Sequence, residues 1–163
     1  MIVVADTTPL NYLVLIDEAH LLPRLFGDVL IPPAVFEELR DPETPPGVQA
    51  WLRAVPSWLK MRPLSSQPDP ELDYLDDGER EAITLAEELH ADQLLLDETD
   101  ARREAARRRL PFIGTLGILR KAAHLNLVDL PSALARLQQT TFHVHPDLIQ
   151  SLLDEDAECR NRR

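Results

Sequence analysis

Four carboxylates stand where they could act together: Asp6, Glu38, Glu79 and Asp97. Asp6 closes the apolar run Ile2-Val3-Val4-Ala5, and Asp97 closes Leu94-Leu95-Leu96. Glu79 opens an amphipathic stretch that reaches Leu89, and Glu38 lies on a short helical segment begun by Pro32-Pro33. Each acid is therefore expected at a strand end or on a helix beside mostly apolar residues. In an open α/β sheet the carboxyl ends of the strands form the ligand crevice. Acids delivered there from separate segments repel one another unless a cation lies between them. A divalent metal is the economical answer, and hard carboxylate donors suit Mg²⁺ or Mn²⁺.

The elements that must position these acids alternate along the chain. Short apolar runs predict strands at 2–5, 29–31, 58–61 (an edge strand), 93–96, 112–113 and 141–144. Thr7 or Thr8 offers a helix cap with Pro9 in the first turn, so a helix follows the first strand at once and runs towards Ile16. Further helical stretches are read at 19–26, 34–40, 48–54, 79–89, from Thr99 or Asp100 to just before Pro111, and at 116–125, 131–138 and 146–154. Within 79–89, Ala82, Leu85, Ala86 and Leu89 recur at i, i+3, i+4 and i+7, which places them on one helix face. Residues Ser65 to Asp73, rich in Pro, Ser and acids, are expected to form a mobile loop. Strands alternating with helices predict an α/β fold of three layers, α/β/α, around a mostly parallel central sheet.

The chain has 163 residues, the length of one domain, and 44% of them are hydrophobic, enough for a packed core. Its single cysteine, Cys159, precludes an internal disulfide and fits a reducing compartment. No apolar run approaches the roughly 20 residues that span a bilayer, and the N-terminus lacks the pattern of a signal peptide. A cytoplasmic protein, not a membrane one, is expected.

The net charge of −11 opposes nucleic acid at long range, but it is unevenly spread. Nine acids and one base lie between Asp69 and Glu88, whereas seven bases and three acids lie between Glu98 and Lys121. A basic helix thus follows directly on Asp97, either as a solvated face or as a phosphate contact.

Taken in order, several phrases resemble the PIN domain, a metal-dependent nuclease fold, and within it the uncharacterised PIN-like branch related to prokaryotic toxin ribonucleases. The phrases are Ala5-Asp6-Thr7-Thr8-Pro9-Leu10, Ile31-Pro32-Pro33-Ala34-Val35-Phe36-Glu37-Glu38-Leu39, and Leu75-Asp76-Asp77-Gly78-Glu79 leading into Ala82-Ile83. Leu94-Leu95-Leu96-Asp97-Glu98, Ala101-Arg102 and Gly114-Thr115-Leu116-Gly117-Ile118-Leu119 complete the set. The resemblance covers residues 1 to about 128 as the core of one domain spanning 1–163, and 129–163 read as a C-terminal helical extension. It implies that Asp6, Glu38, Glu79 and Asp97 are the catalytic and metal-binding acids. Glu37 is the rival of Glu38, which is preferred because it directly precedes the leucine. Thr7, Arg102 and Arg103 are the expected contacts to substrate or to its phosphate.

What the resemblance implies is an Mg²⁺- or Mn²⁺-dependent endoribonuclease, the toxin of a toxin–antitoxin pair, with a small antitoxin partner and a homodimeric assembly. The alternative is a catalytically weak or inactive PIN-like module that binds nucleic acid or protein, which the acidic stretch from Asp69 favours. Individual residues also have blander readings. Asp6 could be a strand-end carboxylate, Glu79 a charge favoured by its helix N-terminus, and Thr115 a helix cap. His143 and His145 would point to one face of a strand and are read as surface histidines in preference to a metal pair, while Trp51 and Trp58 suit a sheet edge or an oligomer contact in preference to base stacking.

Overall fold

Runs such as Val3-Val4-Ala5 and Leu94-Leu95-Leu96 carry nothing polar to face water, so they require a sheet covered on both sides. The computed structural model, which describes residues 1–163, provides it. Strands β1 (Val3–Ala5), β2 (Val29–Ile31), β3 (Leu59–Met61), β4 (Gln93–Leu95) and β5 (Phe112–Ile113) form one sheet in the order β3-β2-β1-β4-β5. Every pairing is parallel.

Side chains alternate across a strand, and the two faces meet separate cores. Val3, Ala5 and Leu95 join the larger core, while Val4, Leu94 and Leu96 join the smaller. Helices α1 (Thr7–Leu15), α2 (Leu21–Phe26), α3 (Pro33–Leu39) and α4 (Pro46–Leu52) contribute to the larger side. Helices α5 (Asp77–Leu89) and α6 (Thr99–Arg107) cover the smaller. Helices α7 (Thr115–His124), α8 (Leu130–Gln138) and α9 (Pro146–Asn161) complete the larger side. The result is the three-layer α/β arrangement expected, with Leu130, Leu134, Leu137, Ile149 and Leu152 of the C-terminal extension built into the larger core. No helix is long and apolar enough to cross a membrane.

The strand order sets the site. From β1 the chain fills one half of the sheet through β2 and β3, then crosses back to lay β4 and β5 on the other side of β1. The crevice at such a reversal lies between the carboxyl ends of the two central strands. Register pairs Ala5 with Leu95, and the Asp6 N–H donates to the Leu95 carbonyl at 3.0 Å. Asp6 and Asp97 therefore leave adjacent strands at one end of the sheet.

Three local expectations are corrected. Helix α1 begins at Thr7, with Asp6 rather than a threonine in the extended cap position (φ −82°, ψ 171°). Residues 141–144 form no strand: they cross α1, where the Tyr12 hydroxyl meets Thr141 Oγ1 at 2.9 Å, and they pair with none of the five strands. The stretch 65–73 is tied down rather than free. Ser65 and Ser66 donate backbone N–H groups to Glu88, and Pro70–Leu72 make a short 3₁₀ turn capped by Asp69.

Candidate metal centre

Helix α3 begins stiffly, because Pro32 is extended and Pro33 opens the helix with its φ already set. One face of α3 buries Val35 and Leu39, and Glu38 turns towards α5. Its Oε1 accepts the Gly78 N–H at 2.9 Å, and its Oε2 accepts the Thr7 hydroxyl. The approach is so close that a Cβ at position 78 would lie 2.8 Å from Glu38 Cδ. Asp76 caps α5, its Oδ1 accepting the Glu79 N–H at 2.8 Å. One oxygen each from Asp6, Glu38 and Asp76 then falls within 4.8 Å of the others.

Asp6 is only 2% exposed, and its Oδ1 is buried without a hydrogen-bond partner. Burial pushes its pKa up to about 8; the Thr7 N–H opposes the shift, and the charges of Asp76, Glu38 and Asp97 add to it. Glu38 is raised by burial, against the Thr7 hydroxyl. Glu79 is raised by burial and then by the Asp76 carboxyl beside it. Carboxyls that retain protons above their ordinary range are short of positive charge. All-oxygen donors, one orphaned buried oxygen and mutual repulsion fit a hard divalent cation.

The other expected residues are placed unequally. Glu79 is buried against Asp76, next to the three clustered acids. Asp97 stands apart from that cluster, although its charge reaches Asp6. Its Oδ1 accepts the Thr115 N–H at 2.8 Å and its Oδ2 the Thr115 hydroxyl at 2.6 Å. Burial raises its pKa against those two bonds and the nearby Arg102 charge. Glu37 faces solvent and pairs with Arg40 at 3.3 Å, which leaves Glu38 as the member of the pair at the site. The Thr7 hydroxyl is committed to Glu38. The Arg102 guanidinium lies over the Phe112 ring at 5.1 Å, with its Nε buried and unpartnered. Arg103 is exposed and paired with Asp100 at 3.5 Å.

Asp76 is the acid of the cluster that sequence reasoning did not place among the candidate ligands. A signal was present, since Asp76-Asp77-Gly78-Glu79 has the spacing of a helix cap and so fixes where α5 starts. The cap position also turns Asp76 towards Asp6.

Beside Asp97 opens a cleft of about 490 Å³, bordered by Thr99 and Arg102 of α6, Gly114 and Gly117 at the start of α7, Tyr12 of α1, and the connector 141–145. The acidic stretch and the basic helix meet on another face. Arg108 pairs with Asp69, Glu87 and Glu104, and Arg107 with Glu71 and Glu104.

Comparison with known proteins yields one family: the model for DUF3368, a PIN domain, matches residues 2–158. Among solved structures, a PilT N-terminus domain protein from the hyperthermophilic archaeon Sulfolobus solfataricus P2 is similar to this chain. The two share 19% identity over 89% of this chain and 100% of that one, with a TM-score of 0.45. No curated protein matches.

Proposed function

The chain belongs to the PIN-domain family DUF3368, and from that premise we propose a metal-dependent ribonuclease that hydrolyses RNA phosphodiester bonds as the toxin of a toxin–antitoxin pair. The observation that carries the nuclease reading is the convergence of Asp6, Glu38 and Asp76 within 4.8 Å, with Asp6 Oδ1 buried and unpaired. These three would hold Mg²⁺ or Mn²⁺, with Glu79 and Asp97 flanking them. Such an ion would offset the negative charge on the phosphoryl oxygens and supply an activated water for in-line attack.

The protein's own part is positioning. Thr7 and Gly78 fix both oxygens of Glu38, and Thr115 fixes both oxygens of Asp97. Arg102, at the border of the cleft, is the cation for an RNA phosphate, and an arginine presents paired donors to such an oxyanion. Arg103 is offered as a weaker, outer contact. The proposal includes a small antitoxin that covers the acids and a homodimer. Exposed Val55 and Met61, close to and on the edge strand β3, are apolar residues that a dimer contact would cover.

A binding module without chemistry drew its support from the acidic stretch between Asp69 and Glu88. Four of those acids are paired with arginines in the folded chain, Asp69, Glu71 and Glu87 with Arg107 or Arg108 and Asp77 with Arg80, so their repulsion of RNA is reduced. The test is cleavage of a mixed RNA panel with Mn²⁺ by the wild type and by Asp6→Asn prepared identically. Cleavage that disappears in the variant and in chelator supports the proposal. Equal cleavage by both points to a contaminant, and none by either, with the fold intact, favours the binding module.

A further inference from the structure

The connector from Thr141 to His145 builds a wall of the cleft that chemistry at the acids does not require. It lies across α1, held by Tyr12 and Thr141, and the Tyr12 and Phe142 rings meet edge to face with centroids 4.9 Å apart. Both rings are half-buried and both border the cleft. His143 and His145 are exposed on the same wall. His145 Nδ1 accepts the Asp147 N–H at 3.1 Å, which leaves its Nε2 as the free donor. Arg102 and Thr99 add donors, and Asp97 and Glu98 are the acids of the lining.

This mixture discriminates among ligands. A wholly apolar ligand would leave Arg102 and Thr99 without partners, and a compact anion would meet Asp97 and Glu98 and make no use of the aromatic wall. A nucleotide uses both features, presenting a flat base to aromatic rings and a phosphate and hydroxyls to the donors. At about 490 Å³ the cleft has the volume of an ordinary ligand site. Asp97, whose charge reaches Asp6, is part of the lining, so the cleft opens beside the acidic centre.

We propose that the cleft seats one nucleotide of single-stranded RNA beside the scissile phosphodiester, with Phe142 and Tyr12 as the stacking wall and Arg102, His143 and His145 as polar contacts. The proposal rests on the ribonuclease reading and makes the C-terminal extension part of the substrate site.

The test uses the full chain and two readouts. An oligoribonucleotide carrying 5-iodouridine is photocrosslinked to Asp6→Asn, and the attachment points are mapped by mass spectrometry. In the otherwise wild-type chain, Phe142→Leu and His143→Ala are assayed for RNA cleavage, with thermal melting as the check on folding. Crosslinks at Tyr12 or within 141–145, and a KM raised about tenfold by Phe142→Leu at unchanged kcat, are expected from the loss of one stacking contact. His143→Ala, at an exposed position, serves as the second variant if Phe142→Leu fails to fold; its expected effect is a smaller rise in KM. RNA cleavage with crosslinks elsewhere and KM unchanged in the folded variants overturns the subsite but leaves the nuclease standing. Crosslinks in the cleft without cleavage by wild type uphold RNA binding there but overturn the ribonuclease reading and, with it, a scissile bond beside the cleft. Neither crosslinking nor cleavage overturns both.

Discussion

Glu38 and Gly78, 40 residues apart in the chain, are in such close contact that position 78 has no room for a side chain. The Gly78 N–H donates to Glu38 Oε1 at 2.9 Å, and a Cβ there would intrude to 2.8 Å from Glu38 Cδ. The glycine sits in the first turn of α5, so its role is spatial: it lets a carboxylate of α3 lie against the helix start.

Replacing Gly78 separates the site from the fold. In Gly78→Ala the carboxylate end of Glu38, a flexible group, must swing away. Stability is expected to change by less than about 1 kcal/mol, because alanine favours a helix by that much. RNA cleavage is expected to fall about a hundredfold, as displacement of a positioned group by an ångström can cause. Urea unfolding and cleavage rates measured on one preparation check this. A large loss of stability with activity retained would reverse the assignment of Glu38.

The shifted acid makes stability depend on pH and on metal. Asp6 titrates near 3.8 when unfolded and at about 8 in the folded chain. Between those values the folded state keeps a proton that the unfolded state has released. The Asp6 contribution to stability is therefore full below about pH 4 and is lost as pH rises to about 8, by at most about 1.4 kcal/mol per pH unit. A bound divalent ion replaces the proton, so Mn²⁺ is expected to raise Tm most at the alkaline end of this range. Asp6→Asn should raise the metal-free Tm there and abolish the response to Mn²⁺. Melting curves across pH, with and without Mn²⁺, decide it; parallel behaviour of wild type and variant would mean that Asp6 ionises freely.

Arg108 joins the acidic stretch to the basic helix. Its side chain is 10% exposed and bonds Glu104 at 2.9 Å, Glu87 at 2.8 Å and Asp69 at 3.2 Å. Arg108→Ala is expected to destabilise the chain by about 2–3 kcal/mol, because it leaves the largely buried Glu104 with Arg107 as its one cation, beside the Tyr74 hydroxyl. It should also open 65–73 to protease. Arg103→Ala, at a side chain 75% exposed, should change stability by less than about 0.5 kcal/mol. Chemical denaturation and limited proteolysis of the two variants provide the comparison.

The sequence by itself determined the layers. Val3-Val4-Ala5 and Leu94-Leu95-Leu96 are apolar without interruption, and only a doubly covered sheet accommodates that. Ala82, Leu85 and Ala86 are buried on one face of α5, as their helical spacing requires. Periodicity is a local property, so it could be read without knowing what lies opposite. The same holds for Asp6 and Asp97, whose places at strand ends follow from the runs before them.

Only the tertiary structure decided which acids share a site. Sequence grouped Asp97 with Asp6, Glu38 and Glu79; in the fold its carboxylate takes two hydrogen bonds from Thr115, and its charge reaches Asp6. Asp76 looked like one more charge in an acidic stretch until the α3–α5 packing set it within reach of Asp6 and Glu38. The 141–144 segment has strand-like residues and no strand, because a ladder needs a free neighbour and this segment lies on a helix. In each case the deciding quantity is a distance between elements far apart in sequence. Such distances follow from how whole faces pack, and composition and spacing along one segment do not contain them.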